Sequence, residues 1–361
     1  MGTSYRGSKE IAGVPRPKQV IPAPRSRKCH VSHSRVDLFA PGTRTLAQES
    51  RMAGLSTTAR LVGPTELRAI WHAFRGDPGR FAPPPSPDPS LVELVETPFE
   101  SVGDAEQRLG RLESRLRQRD DRRAVFLTIY VRMTGRVREG IEEGRFADPE
   151  WMRRYLVTFA DYYRRAFLAF ERGDVTAVPD PWRVAFGAAV NDETLIMQDA
   201  FLGVNAHINY DLALSLEAVG IDPDRHRKYD DHRAIDAILA GVVDAQQRAL
   251  AGLYAPGVDD VDELFGRLDE SLTLRSMTEG REQAWRVAAV RTDVTTPPVP
   301  SLTQWVLRAT ATGAALFILS PQLEPAVEAQ LRRVEREGVS LEDVLGRVEA
   351  ELETGESSPS F

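Results

Sequence analysis

Apolar residues recur along most of this chain at intervals of three and four, the spacing of one face of an α-helix, and nowhere in sustained alternation. Pro64 fits the first turn of a helix over about 64–76, with Leu67, Ile70, Trp71 and Phe74 at helical spacing. FAPPPSPDPS, residues 81–90, reads as a proline-rich linker that cannot be helical. Helices are expected at 101–120, at 122–144 and at about 150–173, the last started by Asp148-Pro149 and full of aromatic residues. Pro179 and Pro181 break the chain before 182–190, and Asp192 starts a long helix, about 193–219, that Gly220 ends. Further helices are expected near 229–252, one or two between 259 and 291, and at 301–319, 322–337 and 340–353. No alternating run is flanked by an Asn-Gly or Asp-Gly hairpin turn. The expected class is therefore all-α, a single multi-helix bundle-like domain.

The N-terminal segment departs from this pattern. Residues 1–51 are rich in Pro, Arg, Ser and Gly, without apolar periodicity or the apolar run of a signal peptide. They read as a disordered basic extension, or as translated sequence upstream of a start at Met52. The expected organisation is then a first helix and Pro-rich linker at 52–90, an all-α main domain at 91–353 and a frayed tail at 354–361. Charge follows the same division. Residues 1–51 carry ten Lys or Arg against three acids, and the remaining 310 carry 36 against 50. An acidic body argues against a broad nucleic-acid surface, so no nucleic-acid partner is expected. Lysine occurs only at 9, 18, 28 and 228, against 42 Arg. A GC-rich genome and adaptation to high salt both explain that bias. The one cysteine, Cys29, lies outside the body, which favours a reducing cytoplasm and excludes Cys nucleophiles and sulfur-based zinc sites. The best apolar run, Ala309 to Ser320, is too short for a membrane span, which needs roughly 20 residues.

Candidate chemistry concentrates in DETLIMQDAFLGVNAHINYDLALSLEAVG, residues 192–220. At about 100° per residue His207 and Asp211 share one face, whereas Asn205 and Asn209 fall on the opposite one. Both faces are mainly apolar, so the helix should be buried most of the way round, where polar side chains are costly unless paired or functional. His207 and Asp211, one turn apart, can ligate a divalent metal together, or Asp211 can orient His207 as a general base. They can equally form a buried hydrogen-bonded pair, with Asn205 and Asn209 tying neighbouring helices together. A second cluster, DPDRHRKYDDHRAIDAI, holds Asp224, His226, Asp230, Asp231, His232 and Asp236. Asp231 and His232 could complete a metal set with His207 and Asp211, or Asp230 or Asp231 could simply cap a helix. Tyr130, Thr134 and Arg138 form a stripe that could face a pocket. The signatures of P-loop, dinucleotide-binding, α/β-hydrolase and H-E-x-x-H proteins are absent.

GVNAHINYDLALSLEAVG, together with Tyr130 and Thr134, Gly144 to Asp148, Pro181-Trp182 and Gln198, resembles a bacterial and archaeal family known only as a domain of unknown function, the one numbered 5995. The resemblance spans about residues 100–250 and implies an all-α domain with a site around Asn205, His207, Asn209 and Asp211, but no reaction. DDHRAID is loosely similar to the aspartate-rich motif of class I terpene synthases, and Asn209, Ser215 and Glu217 to their second magnesium motif. Spacing and chain order both depart from that family. Two classes of function remain: an enzyme-like protein with an internal polar pocket at His207 and Asp211, using a divalent metal or acid–base chemistry, and a non-catalytic scaffold or interaction protein with a buried polar network. Substrate and partners are unknown from the sequence.

Overall fold

Proline and short polar residues start most of the helices. In the computed structural model, which describes residues 61–254, 277–320 and 325–354 apart from Pro85, Glu193 and Val339, no strand occurs among the described residues. Helix α1 (Pro64–Arg75) opens with Pro64, and the Glu66 carboxylate accepts the Gly63 N–H at 2.7 Å. Helix α2 (Pro89–Val95) starts at the end of the segment read as a linker. Pro89 needs no N–H there, and Asp88 accepts from the Ser90 N–H at 2.9 Å. Ser101 caps α3 (Val102–Arg117), α4 spans Ala124–Glu142, and Asp148 caps α5 (Pro149–Glu171) at the Trp151 N–H. Helix α6 (Asp180–Val190) follows, with the indole of Trp182 fully buried.

The long helix expected at 193–219 is three segments. Asp192 takes a left-handed conformation (φ 52°), and α7 (Ile196–Ala206) begins only after Leu195, whose N–H is taken by Gln198 Oε1 at 2.8 Å. At His207–Asp211 the chain widens into a π-helical turn, in which the Leu212 N–H reaches back five residues to the His207 carbonyl. Helix α8 (Leu212–Val219) completes it, ending at Gly220 with φ 76°. Helix α9 (Arg225–Tyr254) starts four residues earlier than its apolar pattern suggests. Beyond it lie α10 (Met277–Asp293), α11 (Val299–Leu319), α12 (Pro325–Gly338) and α13 (Leu341–Thr354). The expectations for residues 1–51, for any helix within 259–276 and for 355–361 lie outside the described residues.

The α7–π–α8 rod is the axis of the body. Helices α4, α5, α6, α10 and α11 surround it, so residues 277–320 belong to the same core. Close approach is set by small residues. A Cβ at Gly203 would stand 2.3 Å from the Phe126 ring, which fixes α7 against α4. Helix α11 is long and apolar enough to cross a membrane by length and composition, yet half of its most apolar stretch is buried, and it packs on α1, α6 and α7.

Helix α1 does not bury its large apolar face. Ala69 is buried, whereas Leu67, Trp71 and Phe74 are 60%, 59% and 73% exposed. The reason is Gly313 on α11, where a Cβ would stand 1.6 Å from the Ala69 carbonyl oxygen, so only a small-residue face of α1 can lie that close. Gly313→Ala must push α1 off the body. We expect a loss of roughly 3 kcal/mol, read as a lowered urea midpoint, with protection of α1 amides lost first in hydrogen exchange.

Candidate functional site

His207 lies at the start of the π turn, 2% exposed, inside a box of aromatic rings. Phe159 of α5 stacks on the imidazole at 3.6 Å and 9°, and Tyr130 of α4 meets it edge-on at 4.4 Å. Phe126 and Trp182 close the box at 5.7 and 5.9 Å. The aromatic run of α5 thus supplies part of the site wall as well as core.

One side of the imidazole is anchored. Nδ1 lies 3.1 Å from Oδ2 of Asp211, and the same oxygen accepts the indole N–H of Trp182 at 2.7 Å. Burial holds the imidazole well below its ordinary range, so His207 is neutral. Burial also pushes the Asp211 carboxyl well above its ordinary range, opposed by the bond from Trp182 and by the Arg165 charge. A neutral pair is what a dry interior favours, because both ions would lose hydration there.

The other side of the imidazole is open. Nε2 of His207, the Tyr130 hydroxyl and the Tyr163 hydroxyl are all buried and have no hydrogen-bond partner among the described residues. Leaving such atoms unmatched costs about 1–3 kcal/mol each. His207 and Tyr130 border a cavity of about 50 Å³ between α4, α5, α7, α9 and the start of α10. That is room for about three or four waters, or for a small ligand. Apart from Thr134, Tyr155 and Arg281, its other walls are apolar, and Met133, Val204 and Met277 are only half-buried where they border it. Burial raises the Tyr130 phenol far above its ordinary value, which leaves it a neutral hydroxyl.

The second sequence cluster takes other partners. Asp231 lies inside α9, and its two carboxylate oxygens accept the N–H groups of Ala147 and Asp148, both at 2.7 Å, which fixes the turn before α5. It caps that distant turn and not its own helix. His232 is buried beside it. Its Nδ1 lies 3.0 Å from the Tyr155 hydroxyl and its Nε2 3.2 Å from the Arg281 carbonyl. A carbonyl can only accept, so Nε2 carries the proton and Nδ1 accepts from Tyr155. Burial and the Arg281 guanidinium keep His232 well below its usual range. Arg281 in turn donates to Asp236 at 2.6 Å and lines the cavity. Asp224, His226 and Asp230 are exposed.

Of the four residues grouped as metal ligands, His207 and Asp211 pair with each other, while Asp231 and His232 each bond to other groups. Among the described residues no three His, Cys, Asp or Glu side chains form a group that could hold a metal ion. Asn205 and Asn209 also turn elsewhere. Asn205 donates to the Ala311 carbonyl of α11 at 2.9 Å, and Asn209 donates to Asn205 Oδ1 at 3.0 Å, a tie between helices. Of the stripe on α4, Tyr130 and Thr134 line the cavity, while Arg138 binds Glu106 and Glu142. Trp182, Phe159 and Arg281 were not singled out for the site by sequence reasoning. Trp182 at least carried a signal, as a large indole whose N–H needs a partner when buried; Arg281 carried none.

A larger cleft of about 640 Å³ opens where the α3–α4 turn meets α12. Five arginines and six carboxylates line it, so its charges largely neutralise one another. Behind it Arg122 donates to Asp199 at 2.7 Å and also reaches Asp192; burial pushes the Asp199 carboxyl up to about 7 despite that partner.

No curated protein and no solved structure shows significant similarity to this chain. Residues 102–321, more than half of its length, match a family described as a family of unknown function, DUF5995. The match takes in every cavity-lining residue and runs beyond residue 250 to include α10 and α11. The chain belongs to this family of unknown function.

Proposed function

We propose that this is an enzyme-like, ligand-binding protein in which His207 and Tyr130 engage a small, mainly apolar molecule carrying one polar group. The observation that supports this reading is the pairing of two buried polar atoms with no hydrogen-bond partner among the described residues, His207 Nε2 and the Tyr130 hydroxyl, at a cavity with mainly apolar walls. Asp211, held by Trp182, fixes the ring and its Nδ1 side, so proton exchange with a ligand runs through Nε2. The chemistry available is general acid–base catalysis, with the tyrosine hydroxyl positioning the polar group. A divalent metal would find one open donor in Nε2 and would need further ligands from water or substrate.

A scaffold reading has one observation in its favour. Asn205 and Asn209 act as a tie to α11, the use a non-catalytic buried network would make of them.

The test is nitrogen-15 NMR of the histidine side chains during titration with acetone, acetamide and acetate. We expect at least one of these probes to shift the His207 Nε2 resonance saturably, and Tyr130→Phe to weaken that binding roughly tenfold, one lost hydrogen bond. If no probe moves the resonance and Tyr130→Phe only raises stability, the scaffold reading replaces this one. Elemental analysis of the same protein separates the metal alternative: a stoichiometric metal lost in His207→Gln would replace acid–base chemistry with a metal site.

A further inference from the structure

The face that α1 turns outward is the most apolar exposed surface among the described residues. Leu67, Trp71 and Phe74 stand at positions i, i+4 and i+7, one stripe of the helix. Trp305 of α11 is 47% exposed, and its ring lies 6.3 Å from that of Phe74, so the stripe continues across two helices. Isolated exposed apolar residues need no explanation, but a contiguous group of two tryptophans, a phenylalanine and a leucine marks an interaction surface.

Its rim is basic. Arg68 and Arg75, both exposed, flank the stripe and form no ion pair with a described residue; the Arg75 guanidinium lies over the Trp71 ring at 5.4 Å. Asp77, two residues past the end of α1, accepts the Gly79 N–H at 2.8 Å. Exposed arginines beside an aromatic helix face make this face complementary to an anionic surface.

Area helps decide what that surface is. Complete burial of the four side chains would cover about 500 Å², short of the roughly 800 Å² per partner that a stable protein interface needs. It is enough for shallow insertion of one helix face at the headgroup level, where tryptophan sits well and arginine stems keep their charge in water. We infer that the α1 face docks this protein peripherally on an anionic lipid membrane, through Leu67, Trp71, Phe74 and Trp305 and the arginines beside them. Docking of this kind requires no spanning segment and leaves the His207 cavity untouched.

The experiment is co-sedimentation of the full chain with vesicles of phosphatidylcholine alone and of phosphatidylcholine with about one third phosphatidylglycerol, at low and high salt. The native protein should pellet with the anionic vesicles only, and less at high salt. Trp71→Ser/Phe74→Ser changes two exposed side chains, so its circular dichroism should match the native protein while its apparent affinity falls by more than about tenfold. Arg68→Glu/Arg75→Glu should fall in the same direction. If the native protein ignores both vesicle types, the inference fails. It fails equally if the aromatic double variant binds as well as the native chain, because positive charge alone would then explain the attraction. Light scattering supplies the third refutation: a concentration-dependent dimer, abolished by Trp71→Ser/Phe74→Ser in protein that does not pellet with lipid, would make this face a contact between copies of the chain.

Discussion

Asp211→Ala is expected to remove about 4 kcal/mol of folding stability, a large share of the 5–15 kcal/mol typical of a domain. One oxygen of Asp211 serves two buried groups, the Trp182 indole N–H and His207 Nδ1. Alanine strands both, at about 1–3 kcal/mol each, and leaves a void in the middle of the rod that organises the core. Asp211→Asn keeps an oxygen able to accept from Trp182 and is nearly the same size, so it should cost no more than about 1 kcal/mol. The contrast between the two variants measures the hydrogen bonds apart from the charge. Urea denaturation read by tryptophan fluorescence gives both numbers. A loss below about 1 kcal/mol for the alanine variant would mean that Trp182 and His207 find other partners, and the anchored imidazole on which the proposed function rests would not exist.

How much of this was legible in the sequence depends on how far apart the interacting residues lie. The all-α class was legible, because it follows from local spacing and from caps such as Asp148 and Ser101. So was the alignment of His207 with Asp211, which are four residues apart. The π turn between them was not, because moving one hydrogen bond from the fourth to the fifth residue leaves no mark on the apolar pattern. The outward face of α1 was not legible, because helical spacing says which residues share a face and not which face is buried. That choice was made by Gly313, more than 200 residues away. Asp231 shows the same limit: by sequence it looks like a helix cap, and in the fold it caps the turn before α5, 83 residues back. The cavity needs side chains from five helices, and only His207, Tyr130 and Thr134 announced themselves as candidates.

The pH dependence of stability provides the second large effect, because two buried histidines and two buried aspartates act in opposite senses. His207 and His232 have folded values well below the ordinary 6.5. Their contribution is fully present above 6.5 and is lost as pH falls, since the unfolded chain then takes up protons that the folded protein refuses. Each costs about 1.4 kcal/mol per pH unit in that range. Asp199 and Asp211 have folded values raised above the ordinary 3.8, Asp199 to about 7. Their contribution is fully present below 3.8 and is lost as pH rises, for Asp199 until about 7. Between about pH 4 and 6.5 the two slopes oppose each other, and the native protein should show a nearly flat profile. Asp199→Asn/Asp211→Asn removes the aspartate side of this balance. Its stability should then drop by about 2.7 kcal/mol for each pH unit below 6.5, so that the variant unfolds near about pH 5 while the native protein stays folded. Urea midpoints at about pH 5, 6 and 7 test this directly. Parallel profiles for the two proteins would show that the aspartates do not hold protons in the folded state, and Asp211 would then have to be read as a carboxylate that keeps the proton on His207 Nδ1 and offers Nε2 to the cavity as a base.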